Sequence, residues 1–128
     1  MTTSPLPLTF ITQRPREDGC GAVVLQMLTA ETYDSIAARI GWREGDLRRS
    51  TWADLIRILT DLGWKVGAPI PTNSWQEITS LSIVNVKEDH FMLFDGENRV
   101  FYDPWEFEGP QQVTNRVPNA YLPVTRAP

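Results

Sequence analysis

The stretch Asp18-Gly19-Cys20-Gly21-Ala22-Val23-Val24-Leu25-Gln26-Met27-Leu28 decides how the rest of the chain is read. It begins with a helix-capping type of residue, Asp18, and continues as a run that is apolar almost all round. That is the pattern of a helix buried at the centre of a fold. The sole cysteine falls in the first turn of this predicted helix, where unsatisfied backbone N–H groups and the helix dipole favour a thiolate. Glycines on either side leave the sulfur approachable. Taken alone, Cys20 reads first as a small buried hydrophobe, which is what most lone cysteines are.

Outward from this helix, the preceding segment Pro5 to Glu17 has three prolines and no helical period, so it is an extended lead-in. On the other side the spacing predicts a short helix over Thr32 to Ile40, with Tyr33, Ile36, Ala37 and Ile40 on one face and Gly41 as its stop. A third helix is predicted over Thr51 to Leu62. Thr51 and Asp54 form a capping box, and Leu55, Ile56, Leu59 and Leu62 make the apolar stripe. Beyond Trp64 the period changes. Leu81 to Val86, His90 to Phe94 and Arg99 to Asp103 read as strands, the last two joined by Asp95-Gly96-Glu97-Asn98. One further strand is expected around Tyr121-Leu122 in a proline-rich C-terminal segment. Helices first and an antiparallel sheet afterwards is α+β order, in a single domain spanning residues 1–128.

Composition removes several classes of function. A net charge of −4 over 128 residues does not suit a general nucleic-acid binder, which needs clustered lysine and arginine. No run is long and apolar enough for a membrane span, and Met1 to Leu8 lacks the form of a signal peptide, so a cytoplasmic protein is the expectation. One cysteine and one histidine are too few for a structural zinc, and no cofactor is expected. Thiol–imidazole chemistry, if present, must therefore use Cys20 and His90.

A hairpin symmetric about Gly96 and Glu97 would pair Phe94 with Arg99, Met92 with Phe101, and His90 with Asp103. Directly opposed residues in a sheet have Cβ atoms roughly 4.5–5.5 Å apart, close enough for a carboxylate to fix an imidazole tautomer. The same pair is also what a strand histidine satisfied by a neighbouring acid would look like. The backbone N–H of Cys20 is a natural donor for an oxyanion, and Gln13 in the lead-in is a candidate for the second.

Gln13, then Asp18-Gly19-Cys20-Gly21 opening an apolar helix, then His90-Phe91-Met92-Leu93, then Tyr102-Asp103-Pro104, resembles the papain-like cysteine peptidases of the C39 type. The stretch Met27-Leu28-Thr29 through Thr32-Tyr33 and Ile36 is similar to that family as well, and the resemblance spans Gln13 to Trp105. It implies a papain-like α+β fold with the cysteine-bearing helix packed on an antiparallel sheet. It also implies Cys20 as nucleophile, His90 as general base, Asp103 as orienter and Gln13 in the oxyanion hole, acting on a peptide or protein substrate. Two features depart from the pattern. Gly19 separates the Asp from the Cys, and Gln13 lies seven residues before Cys20 instead of six. The family's best-known members belong to peptide exporters, a role for which this chain carries no transporter segment.

Three outcomes use these residues differently. The first is a hydrolase that cleaves a peptide, amide or isopeptide bond through a thioester. The second is a transamidase or deamidase on the same triad, as in effectors or toxins. The third is a non-catalytic binding or adaptor module of the same fold, in which Trp42, Trp75 and Trp105 form a recognition surface.

Overall fold

A computed structural model describes residues 8–12, 19–43, 50–87, 89–106 and 109–126. Among them, helices α1 (Cys20–Thr29), α2 (Tyr33–Ile40) and α3 (Trp52–Asp61) precede strands β1 (Trp64–Val66), β2 (Ile70–Pro71), β3 (Leu81–Val86), β4 (His90–Asp95), β5 (Val100–Tyr102) and β6 (Pro118–Arg126). All strand pairs are antiparallel, in the order β1-β6-β3-β4-β5, and β2 also pairs with β6. No described helix is long and apolar enough to cross a membrane.

The helices form where their caps direct. Thr51 and Asp54 exchange hydrogen bonds at the start of α3: the Thr51 N–H donates to Asp54 Oδ2 at 3.0 Å and the Asp54 N–H to Thr51 Oγ1 at 3.2 Å. Such a cap contributes about 1 kcal/mol. Thr32 caps α2 through the Ser35 N–H, and Gly41 ends it in the left-handed region at φ 96°. The residue capping α1 is Gly19, at φ 90° and ψ 14°, with no side-chain cap. Asp18, expected in that place, lies outside the described residues. A left-handed turn is easiest for glycine, the residue that stands there.

The sheet is covered on both faces. Val24, Leu25, Leu28, Leu55, Ile58 and Leu59 of the helices bury one side together with Ile83, Phe91, Leu93 and Leu122. A smaller cluster of Ile78, Val84, Val86, Met92, Phe94 and Phe101 closes the other, with Trp75 packed edge-on against Phe94 and Phe101. Every residue of β4 is buried, as expected for a strand with apolar cover on both sides.

Two strand expectations are corrected. β6 runs nine residues and pairs with β1, β2 and β3, where only a short strand near Tyr121-Leu122 was expected. Its prolines disguised it. Pro118 sits at a register shift opposite Val86, and Pro123 falls between the residues paired with β2 and those paired with β1. Those are positions where a strand tolerates a missing N–H. The β4–β5 register is also displaced by two residues: Phe94 pairs with Phe101 and Asp95 with Val100, so His90 and Asp103 are not directly opposed. The cause is the turn. The buried Asp95 carboxylate accepts from the N–H groups of Glu97 and Asn98, both at 3.1 Å, and from the Asn98 side chain at 2.8 Å. Arg99 completes the longer loop at φ 58°.

Candidate active site

Cys20 is the first residue of α1, so its backbone N–H has no helical carbonyl to pair with. The thiol is half-buried at the edge of the sheet. β5 pairs only with Leu93, Phe94 and Asp95, which leaves the first half of β4 without a partner on that side among the described residues. The Phe91 N–H, facing away from β3, donates instead to the Cys20 sulfur at 3.3 Å.

His90 opens β4 directly after Asp89, which takes φ 56°. Its Nε2 meets Asp103 Oδ1 at 2.6 Å, with both side chains almost wholly buried. An ionised carboxylate only accepts, so the imidazole donates from Nε2. Cys20 acts on the same ring through its side chain and its charge, and with Nε2 given to Asp103 the nitrogen left to face the sulfur is Nδ1. Burial alone would push the imidazole pKa down, but hydrogen bonds to Asp103 and Cys20 and their charges reverse this, and the pKa is raised.

Asp103 follows β5 in a turn in which the Trp105 N–H donates to Oδ1 at 3.0 Å. Its second oxygen, Oδ2, accepts from Arg116 Nε. Burial would raise this carboxyl's pKa, yet the bonds from His90, the Trp105 N–H and Arg116 hold it below the usual carboxylate range. The two-residue shift in register does not separate the pair, because the side-chain period of a strand is two and the shift keeps both residues on one face.

The structure thus brings together Cys20, His90 and Asp103. Gln13 lies outside the described residues, although Thr12 beside it donates from Oγ1 to the Pro104 carbonyl at 3.0 Å, tying the lead-in to the Asp103 segment. Of the tryptophans, Trp105 lies edge-on to His90 with ring centres 5.7 Å apart and is 44% exposed. Trp75 belongs to the smaller core cluster, and Trp42 packs near Tyr33. No group of three or more His, Cys, Asp or Glu among the described residues is arranged to hold a metal ion.

No family model and no curated protein matches the chain by sequence. Solved structures do match it in shape. A double-glycine-motif protease from an AMS/PCAT transporter, solved in complex with a leader peptide, superposes with a TM-score of 0.67 at 16% identity, over 91% of this chain and 90% of the other. The peptidase domain of Streptococcus ComA, a bifunctional ABC transporter of a quorum-sensing pathway, gives 0.70 at 13% identity, over 93% and 98%. The fold is that of the double-glycine peptidase domains.

Two participants escaped the sequence reading. The Phe91 N–H has no sequence signature, because what frees it is the early end of β5. Arg116 did leave a trace, as the only Lys or Arg between Arg99 and Arg126 and hence the only cation available to a buried carboxylate there.

Proposed function

We propose that this chain is a cysteine peptidase of the C39 type, papain-like in fold, cleaving a peptide or related amide bond through a thioester acyl-enzyme. The observation that carries this reading is the buried His90–Asp103 hydrogen bond, with the part-buried Cys20 close enough to the same ring to shift its pKa. A merely structural histidine–acid pair would need no thiol beside the imidazole.

In this mechanism His90 Nδ1 takes the Cys20 proton while Asp103 holds Nε2–H and stabilises the imidazolium. The Phe91 N–H offers the thiolate a further donor. The sulfur attacks the substrate carbonyl carbon, and the oxyanion that forms lies at the N-terminus of α1, where the Cys20 N–H donates to it. Gln13 is the proposed second donor. Collapse expels the amine, protonated by His90, and leaves a thioester. Water, deprotonated by the same imidazole, then releases the acid. The peptide bound by the transporter protease of similar fold supports a peptide segment as substrate. Transfer to an amine in place of water, or attack on a side-chain amide, uses the same steps.

Since the chain has one cysteine, iodoacetamide reports on one atom. The expected result is stoichiometric labelling at neutral pH, abolished by Cys20→Ser and slowed about 100-fold by His90→Ala. Labelling no faster than that of an ordinary thiol, and indifferent to His90, would overturn the reading in favour of a binding module.

A further inference from the structure

The oxygen of Asp103 that His90 does not use is held by a side chain outside the proposed triad. Arg116 precedes β6 and is held at its N–H, its carbonyl and its Nε. Its N–H donates to Thr114 Oγ1 at 3.1 Å. Its carbonyl accepts from the indole Nε1–H of Trp75 at 2.8 Å, and Trp75 is wedged against Phe94 and Phe101. The guanidinium carbon stands 5.8 Å from the centre of the Trp105 ring, the same ring that meets His90 edge-on. Its Nε–H then reaches Asp103 Oδ2. The smaller core cluster is thereby connected, residue by residue, to the carboxylate behind the imidazole.

We propose that Arg116 is a positioning residue: anchored through Trp75, it fixes the Asp103 carboxylate so that Oδ1 stays in line with His90 Nε2. This deepens the peptidase reading and rests on it for its catalytic meaning. The physical need is plain. Oδ1 already serves two donors, His90 and the Trp105 N–H, but a carboxylate held by one oxygen still rotates about its χ2 axis. Asp103 and Arg116 both border an open cavity of about 420 Å³, from which water would compete for Oδ2 if the guanidinium were absent. A planar guanidinium directs its donors at a carboxylate in a way that a lysine ammonium does not.

The test uses the fact that His90 is the only histidine in the chain, so its Hε1 resonance is assigned without ambiguity whatever the activity. The charged and titratable groups facing the ring, among the described residues, are Cys20 from α1 and Asp103 after β5, with Arg116 behind the latter. If Arg116 positions Asp103, Arg116→Gln releases the carboxylate and the His90 titration midpoint falls. Labelling of Cys20 by iodoacetamide slows about tenfold. Arg116→Lys, which keeps the charge without the planar donor, gives an intermediate midpoint. In the Asp103→Asn background, Arg116→Gln has no further effect, because its influence runs through that carboxylate. A midpoint that rises or stays put in Arg116→Gln overturns the proposal, as do additive effects in the double variant. Should Arg116→Gln fail to fold, a wild-type midpoint in Arg116→Lys overturns it. Failure of the peptidase reading would show separately, as slow labelling of the wild-type chain.

Discussion

The two halves of β4 have the same burial and opposite uses. Leu93 to Asp95 is paired on both sides, with β3 and with β5, and ends in the Asp95 turn. His90 to Met92 is paired with β3 alone among the described residues, and its free side carries the Phe91 contact to the sulfur. A site is made here by stopping a strand early. Where β5 continues, backbone groups hold the sheet together. Where it has ended, the same kind of group is available to a thiol, and the chain beyond β5 can turn Asp103 towards His90.

This division should be breakable from either end. The largest effects belong to the open half: His90→Ala or Asp103→Asn should slow Cys20 labelling about 100-fold or more, read by mass spectrometry after timed quenching. Equal rates in wild type and variants would erase the distinction. In the closed half, a Cβ on Gly96 would lie 2.6 Å from both the Ile78 carbonyl oxygen and the Ser80 nitrogen. Gly96→Ala should therefore cost roughly 1–3 kcal/mol in urea unfolding while leaving the labelling rate of the folded protein unchanged. A rate that falls with it would mean that the two halves are coupled.

The smallest effect is on pH-dependent stability. His90 has a raised pKa when folded, so its contribution is fully present below its ordinary value of about 6.5 and is lost as pH climbs through the raised value. Asp103 has a lowered one, so its contribution is present above about 3.9 and is lost as pH falls through the lowered value. Thermal unfolding should show greatest help from the pair in the window between, and His90→Gln should flatten the alkaline decline. An unchanged slope in that variant would show that the pair does not govern it.

Much of this was legible in the residues. The capping box of Thr51 and Asp54, the stop at Gly41 and the β-branched run Leu81 to Val86 mark elements through local chemistry, and each element stands where its residues put it. The meeting of His90 with Asp103 survived a wrong register because parity, not exact pairing, decides which face a strand residue takes. The register itself was hidden in the Asp95 side chain, whose bonds to Glu97 and Asn98 lengthen the turn. β6 was hidden by prolines whose tolerance depends on which neighbours flank each residue, and that is knowledge only tertiary structure supplies. Arg116 was hidden for a similar reason: its bond to Asp103 crosses a segment with no period to place it.

The glycine after Cys20 has one more effect. A Cβ at Gly21 would run into the Ser50 side chain, and seven of the ten residues of α1 are buried. The helix tip bearing the sulfur is therefore tightly packed from behind. Under the proposed reaction the adjustment falls to the other participant, which favours a pliant, unfolded stretch of polypeptide over a bond fixed inside a rigid structure.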